Sequence, residues 1–248
     1  MKDLDDSKKI AILIDADNAQ SSKLPQIISE ISTHGHIICK RAYGDWSSEY
    51  LKNWKTILNE LAIQPVQQFA YTSGKNSTDA SMIIDAMDLL YSDKYDAFVL
   101  VSSDSDFTKL ASRLRESEIY VFGVGEKKTP VSFRNACDDF ILTENLDSEV
   151  QTVDSPPKDH VEAADEKKDP ASLAPLLENG WRKYQDEEGW ANIASVGSFI
   201  KRQNPDFDPR TYGETKLPNI VGKIKSFEMK KYPGKGSVII RAFRPKVK

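Results

Sequence analysis

The sequence predicts an α/β fold: a mostly parallel sheet between two layers of helices, followed by a small C-terminal winged-helix module. Three observations predict it. Short apolar runs alternate with stretches of helical period, the pattern of βαβ units. Two of those runs, Ile10–Ile14 (IAILI) and Phe98–Val101 (FVLV), break at once into acids and small polar residues. Composition and charge then change sharply after residue 147, which divides the chain into residues 1–147, a charged linker 148–170, and residues 171–248.

The elements of the first part follow in order. Ile10–Ile14 is a strand, and the run of spaced apolar residues Leu24, Ile27, Ile28 and Ile31 makes 24–33 a helix with Pro25 in its first turn. His36–Tyr43 is a second strand. Trp54, Ile57, Leu58 and Leu61 put 51–61 on a helix, and Pro65–Ala70 reads as a third strand. A polar loop, 71–77, leads into an apolar helix over 78–90. Ala97–Val101 is the next strand, and 107–115 a helix. Ile119–Val124, a short helix at 132–136 and a last strand at 139–142 complete the series. A nucleotide-cofactor fold needs a glycine-rich turn after its first strand. Asp15-Ala16-Asp17-Asn18 stands there instead, so neither a dinucleotide site nor a P-loop is expected.

Residues 148–170 are rich in Asp, Glu, Lys, Ser and Pro, with almost no large apolar residue; such a segment buries too little to order itself. Beyond it, 173–185, 193–201 and 216–224 have helical spacing, with a turn at 189–191. Phe227–Lys231 and Ser237–Phe243 flank Pro233-Gly234-Lys235-Gly236 as a hairpin. Three helices and a basic hairpin make a winged helix-turn-helix.

Charge separates the two parts. Residues 1–150 hold 16 Lys and Arg against 24 Asp and Glu, a net −8, whereas residues 171–248 hold 15 against 8, a net +7. An acidic half suits a cation and a basic half suits a polyanion. Cys39 and Cys137 have neither metal-site spacing nor neighbouring histidines, which points to a reducing compartment rather than a disulfide scaffold. The start MKDLDDSKK has no apolar leader core and no run reaches the length of a membrane span; a cytoplasmic protein is expected.

The chemistry lies with the acids. Asp15 and Asp104 end two strands, and Asp79 begins the helix after the third. Ligands of open parallel sheets bind at that edge. Asp15, Asp79, Asp104 and Asp106 are therefore the candidate metal ligands, for a hard cation such as Mg²⁺ or Mn²⁺. Asn18 is placed to orient water or touch a phosphate, and Lys75 to offset phosphate charge or simply to sit in solvent. Helix capping is the competing role for these acids, and for Asp106 ligand, base and helix-start acid all remain open. Asp85, inside an apolar stretch, is a supporting partner, a cap or a residue of the polar face; Asp17 ranks below Asn18.

These pieces carry a resemblance. ILIDADN (12–18), RAYGDW (41–46), TSGKNSTDASMIIDAMDLL (72–90), VLVSSDSDF (99–107) and FGVGEKKTPVSFRNACDDFI (122–141) resemble the NYN domain of the PIN-like nuclease superfamily, in its LabA-like or DUF88 branch. The resemblance implies a three-layer α/β/α PIN-like fold and a metal-dependent ribonuclease, a hydrolase with Asp15, Asn18, Asp79, Asp104 and Asp106 at its catalytic edge. Residues 172–244, through GWANIASVGSFIKRQNPDFDPRTYGETKLPNIVGKIKSFEM (189–229) and SVIIRAF, resemble the OST-HTH or LOTUS domain. That implies binding of RNA, single-stranded or structured and G-rich, and in some members a protein partner such as an RNA helicase; an oligomer is compatible with both. Lys201, Arg202, Arg210, Lys216, Lys235 and Arg241 are the expected phosphate contacts, and Tyr212 either stacks on a base or fixes a turn. The sequence thus predicts an endoribonuclease that acts on RNA, with an inactive RNA-binding adaptor as the alternative. A haloacid-dehalogenase-type phosphatase is the weakest reading: IDAD imitates its nucleophile motif, but Ala19 stands where Thr or Val belongs.

Overall fold

The computed structural model describes residues 8–69, 77–149, 167–233 and 239–246. The chain divides into two compact units, Met1–Val150 and Gln151–Lys248. Lys75, most of the expected linker, and Lys235 lie outside the described residues.

The first unit carries β1 (Lys9–Asp15), α1 (Leu24–Ser32), β2 (His36–Gly44), α2 (Trp54–Glu60), β3 (Gln64–Gln67), α3 (Ser77–Tyr91), β4 (Ala97–Val101), α4 (Thr108–Glu116), β5 (Tyr120–Gly125), α5 (Val131–Ala136) and β6 (Asp139–Leu142). Its six strands form one parallel sheet in the order β3-β2-β1-β4-β5-β6. The two faces of β1 feed two cores. Ile10, Ile12 and Ile14 pack with Leu24, Ile27 and Ile31 of α1 and with Trp54 and Leu58 of α2. Ala11 and Leu13 pack with Met82 and Ala86 of α3, Leu110 and Leu114 of α4, and Phe133 of α5. Burial on both faces is why β1 and β4 read as unbroken apolar runs instead of alternating ones.

Two elements differ from expectation. The third strand ends at Gln67, short of Ala70; as an edge strand it tolerates Pro65, whose missing N–H faces away from the ladder. The helix expected over 51–61 is a short 3₁₀ turn, Glu49–Leu51, followed by a seven-residue α2.

The strand order places the chain's reversal between β1 and β4. The chain steps outward from β1 to β3, then crosses back to the other side of β1. A crevice opens at the carboxyl ends of such a strand pair, because the two following connections leave on opposite faces. Ile14 pairs with Val101 in register, so Asp15 and the turn after Val101 meet at that edge.

The second unit consists of α6 (Ala174–Tyr184), β7 (Ala191–Asn192), α7 (Ile193–Gln203), α8 (Leu217–Lys223), β8 (Phe227–Pro233) and β9 (Ile239–Pro245), with an antiparallel sheet in the order β7-β9-β8. Leu177, Val196, Ile200, Ile220, Val221 and Phe243 form its core. Gly180 is required where α6 crosses α7: a Cβ there lies 2.5 Å from a methyl of Val196. The stretch read as a plain turn at 189–191 ends in β7, which pairs Ala191 with Phe243 and Asn192 with Ala242. Two residues are too few for a periodic signal. Asn192 also caps α7, its side chain accepting from Ala194 N at 2.8 Å. No helix among the described residues is long and apolar enough to cross a membrane.

Candidate active site

Asp15 ends β1 with no exposed surface. A carboxylate in that position costs several kcal/mol unless hydrogen bonds replace its water. Three do. Ser102 Oγ donates to Oδ2 at 2.7 Å, Asn18 Nδ2 donates to the same oxygen at 2.9 Å, and Asp17 N donates to Oδ1 at 3.1 Å. Burial raises the Asp15 pKa, and the hydrogen bonds from Ser102 and Asn18 work against the rise.

Ser102 is the hinge of the site. Its hydroxyl donates to Asp15 and accepts from Asp104 N at 3.0 Å. It therefore ties the ends of β1 and β4 together and aims the turn that bears Asp104. Asp104 caps the 3₁₀ turn Ser105–Phe107, accepting from Asp106 N at 2.9 Å. Capping and clustering are both true of it: carboxylate oxygens of Asp79, Asp104 and Asp106 lie within 4.8 Å of one another. In an octahedral site with bonds of about 2.1 Å, opposite ligand oxygens stand about 4 Å apart. The three acids thus fit a single hard divalent cation after small side-chain adjustments.

Asp79 sits in the first turn of α3 and is the electrostatic centre of the group. Its pKa is raised to about 6, first by burial, then by the charges of Asp15, Asp104, Asp106 and Asp17. Between 3.8, the ordinary value, and 6, the native state keeps a proton that the unfolded chain has lost. Metal-free stability therefore falls as pH rises through that window and stays lower above it. Asp79→Asn removes the penalty. We expect the metal-free Tm at pH 7.5 to rise by about 2–4 °C in this variant, with a smaller gain at pH 5. Scanning calorimetry checks this: Mn²⁺ is expected to raise the Tm of the wild type but not of Asp79→Asn, and equal Mn²⁺ responses would contradict it.

Asp85, for which the sequence allows a supporting partner, a cap or a residue of the polar face, bonds to β2. Its carboxylate accepts from Arg41 and from the Tyr43 hydroxyl, pinning α3 to β2. Burial drives the Tyr43 pKa upward, so that hydroxyl stays protonated and donates. Asp17 lies at the mouth of the site, exposed.

The structure gathers Asp15, Asn18, Asp79, Asp104 and Asp106 at one edge. Within the second unit the expected RNA contacts divide. Lys216 and Arg241 share a groove of about 540 Å³ with Asn192, Ser198 and Ile239. Lys201 and Arg202 close the last turn of α7, where Arg202 donates to Ser198 O and to the Tyr184 hydroxyl. Arg210 is paired with Asp208 at 2.8 Å, both largely buried. Tyr212 is half-buried against Phe207, ring centroids 6.1 Å apart, and Gly213 after it has φ +73°, so the turn-fixing role is the one its surroundings provide. Sequence reasoning missed Ser102; the signal was a small hydroxyl directly after a fully buried strand.

The NYN domain family matches residues 9–146 and the OST-HTH/LOTUS domain family residues 167–239. No curated protein matches the chain. Solved structures similar in part to this chain include the following two. A crystal structure of a protein of unknown function from Vibrio parahaemolyticus is 20% identical, with a TM-score of 0.47, covering 56% of this chain and 94% of that one. A solution NMR structure of an uncharacterised protein from Nitrosomonas europaea is 23% identical, with a TM-score of 0.29, covering 40% of this chain and 92% of that one.

Proposed function

The chain belongs to the NYN domain family, followed by an OST-HTH/LOTUS domain, and from that premise we propose that it is a Mg²⁺- or Mn²⁺-dependent endoribonuclease. The combination of domains supports a nuclease-type, RNA-related function. The observation that carries the finer reading is the convergence of Asp79, Asp104 and Asp106 at the sheet's switch edge.

In this reading Asp79, Asp104 and Asp106 hold the cation. When bound, it supplies charge neutralisation at the phosphate and lowers the pKa of water. Asp15 adds its charge from beneath, fixed by Ser102 and Asn18. Asn18, one amide hydrogen of which goes to Asp15, orients a water or phosphate oxygen. Water adds to phosphorus and an RNA hydroxyl leaves. Lys201, Arg202, Lys216 and Arg241 of the basic unit bind RNA backbone, single-stranded or structured, and deliver it. The two free thiols, Cys39 and Cys137, suit a reducing compartment, the cytoplasm.

The test is internal cleavage of end-labelled RNAs, both unstructured and G-rich, by the purified chain with Mg²⁺ or Mn²⁺. Discrete internal products are expected. Stable RNA binding with no product in either metal would replace this reading with the adaptor.

A further inference from the structure

The edge that gathers the acids also carries a cleft of about 420 Å³, on the β5 side of Asp104. Asn18 and Gln20 line it from the turn after β1, Ser103 and Asp104 from the turn after β4, and Glu126 and Lys128 from the turn after β5. Asp79 and Asp106 are not part of its lining. The cleft therefore begins at Asp104 and runs away from the other two acids of the cluster. Its size falls within the range of about 300–1,000 Å³ typical of small-ligand sites.

Its walls are built to stay close. A Cβ on Gly125 would lie 2.6 Å from Ser102 O and 2.8 Å from Thr129 Oγ1, so only glycine lets the turn after β5 approach the turn after β4. Glu126 N donates to Ser103 Oγ at 3.0 Å and joins the two turns. Among the described lining residues Lys128 is the one cation, 71% exposed and 3.1 Å from the Glu126 carboxylate. An ion pair so open to solvent is weak, and its amine exchanges readily to a stronger anion. The amides of Asn18 and Gln20 and the Ser103 hydroxyl add neutral donors and acceptors, the groups that recognise ribose and base edges.

We propose that this cleft holds the nucleotide adjacent to the scissile phosphate, with Lys128 contacting the phosphate on its far side and Glu126 holding the amine in place until RNA arrives. The proposal rests on the reading of the acid cluster as a cleavage site. It adds a subsite and two residues that set how substrate is held.

The test uses the full chain and a 5′-phosphorylated triribonucleotide, with Ca²⁺ in place of the catalytic ion, over a salt series. Lys128→Ala is expected to weaken binding about 5–10-fold and to reduce the slope of log K against log salt by about 0.7, the loss of one phosphate contact to a single strand. Glu126→Gln removes a competitor for the amine and is expected to tighten binding about 2–3-fold, a change of sign that misfolding does not produce. Mn²⁺ affinity is expected to stay within about twofold of wild type in both, since neither residue belongs to the acid cluster. No triribonucleotide binding by the wild type, an unchanged affinity and salt slope in Lys128→Ala, or weaker binding by Glu126→Gln would each overturn the proposal. The two readings fail separately. A wild type that cleaves RNA while Lys128→Ala binds unchanged loses the subsite and keeps the nuclease. A wild type that never cleaves, with Lys128→Ala still weakened, keeps the cleft as an RNA-binding site and loses the nuclease, and with it the scissile phosphate.

Discussion

Asp104→Asn is expected to lower RNA cleavage by about 10²–10³-fold, the usual consequence of losing one preorganised electrostatic contact to the reacting group, while Tm moves by no more than a few degrees. The substitution separates the two jobs of this residue. Asn is as good a helix cap as Asp, so its side-chain oxygen still accepts from Asp106 N and the turn Ser105–Phe107 is kept. What it loses is the charge shared with Asp79 and Asp106. Asp104→Ala is the control: it loses cap and charge together and is expected to cost about 1 kcal/mol of stability as well. Cleavage by Asp104→Asn at the wild-type rate would remove the acid cluster from the mechanism.

The second large effect is expected from separating the units. Residues 1–150 alone are expected to cleave RNA in Mn²⁺ with a kcat close to that of the full chain, but to bind it about 10–100-fold more weakly at moderate salt. The net charge of −8 on this part repels RNA, and the +7 of residues 171–248 no longer offsets it. The residual binding is also expected to depend less steeply on salt, because most Lys and Arg contacts to phosphate have gone. Filter binding and single-turnover cleavage measure the two quantities independently. Equal RNA affinity of the short and full chains would remove the delivery role assigned to the second unit.

Much of this site is legible in the sequence because it sits where periodicity is strongest. β1 and β4 are buried on both faces, so their ends are marked by a sudden change from apolar residues to Asp15 and to Ser102–Asp106. Asp79 is readable because it opens a long apolar helix. What is not legible depends on cross-strand register and on side-chain direction. Ser102 bridges Asp15 and Asp104 across 87 residues of chain, and no local pattern announces that. The sequence offers Asp15, Asp79, Asp104 and Asp106 together as ligands; in the fold, Asp15 is the buried, triply hydrogen-bonded floor of the site, and the carboxylate oxygens that lie within 4.8 Å of one another are those of Asp79, Asp104 and Asp106. Asp85 looks misplaced among apolar neighbours until Arg41 and Tyr43 of β2 come beside it. In the second unit the sequence offers Arg210 as a phosphate contact and Tyr212 as either a base-stacking or a turn-fixing residue; Asp208 and Phe207, a few residues before them, engage both. Lys216 and Arg241, 25 positions apart in the sequence, line one groove because the start of α8 and the first residues of β9 both border it.

The most direct test is to add Mn²⁺ stepwise to chelator-treated protein, following bound Mn²⁺ by electron paramagnetic resonance and cleavage of one RNA in the same samples. Cleavage is expected to be absent without metal and to rise with the occupancy of a site that Asp104→Asn abolishes. Cleavage that persists in excess chelator, or a Mn²⁺ site that Asp104→Asn leaves intact, would contradict a metal-dependent nuclease built on Asp79, Asp104 and Asp106.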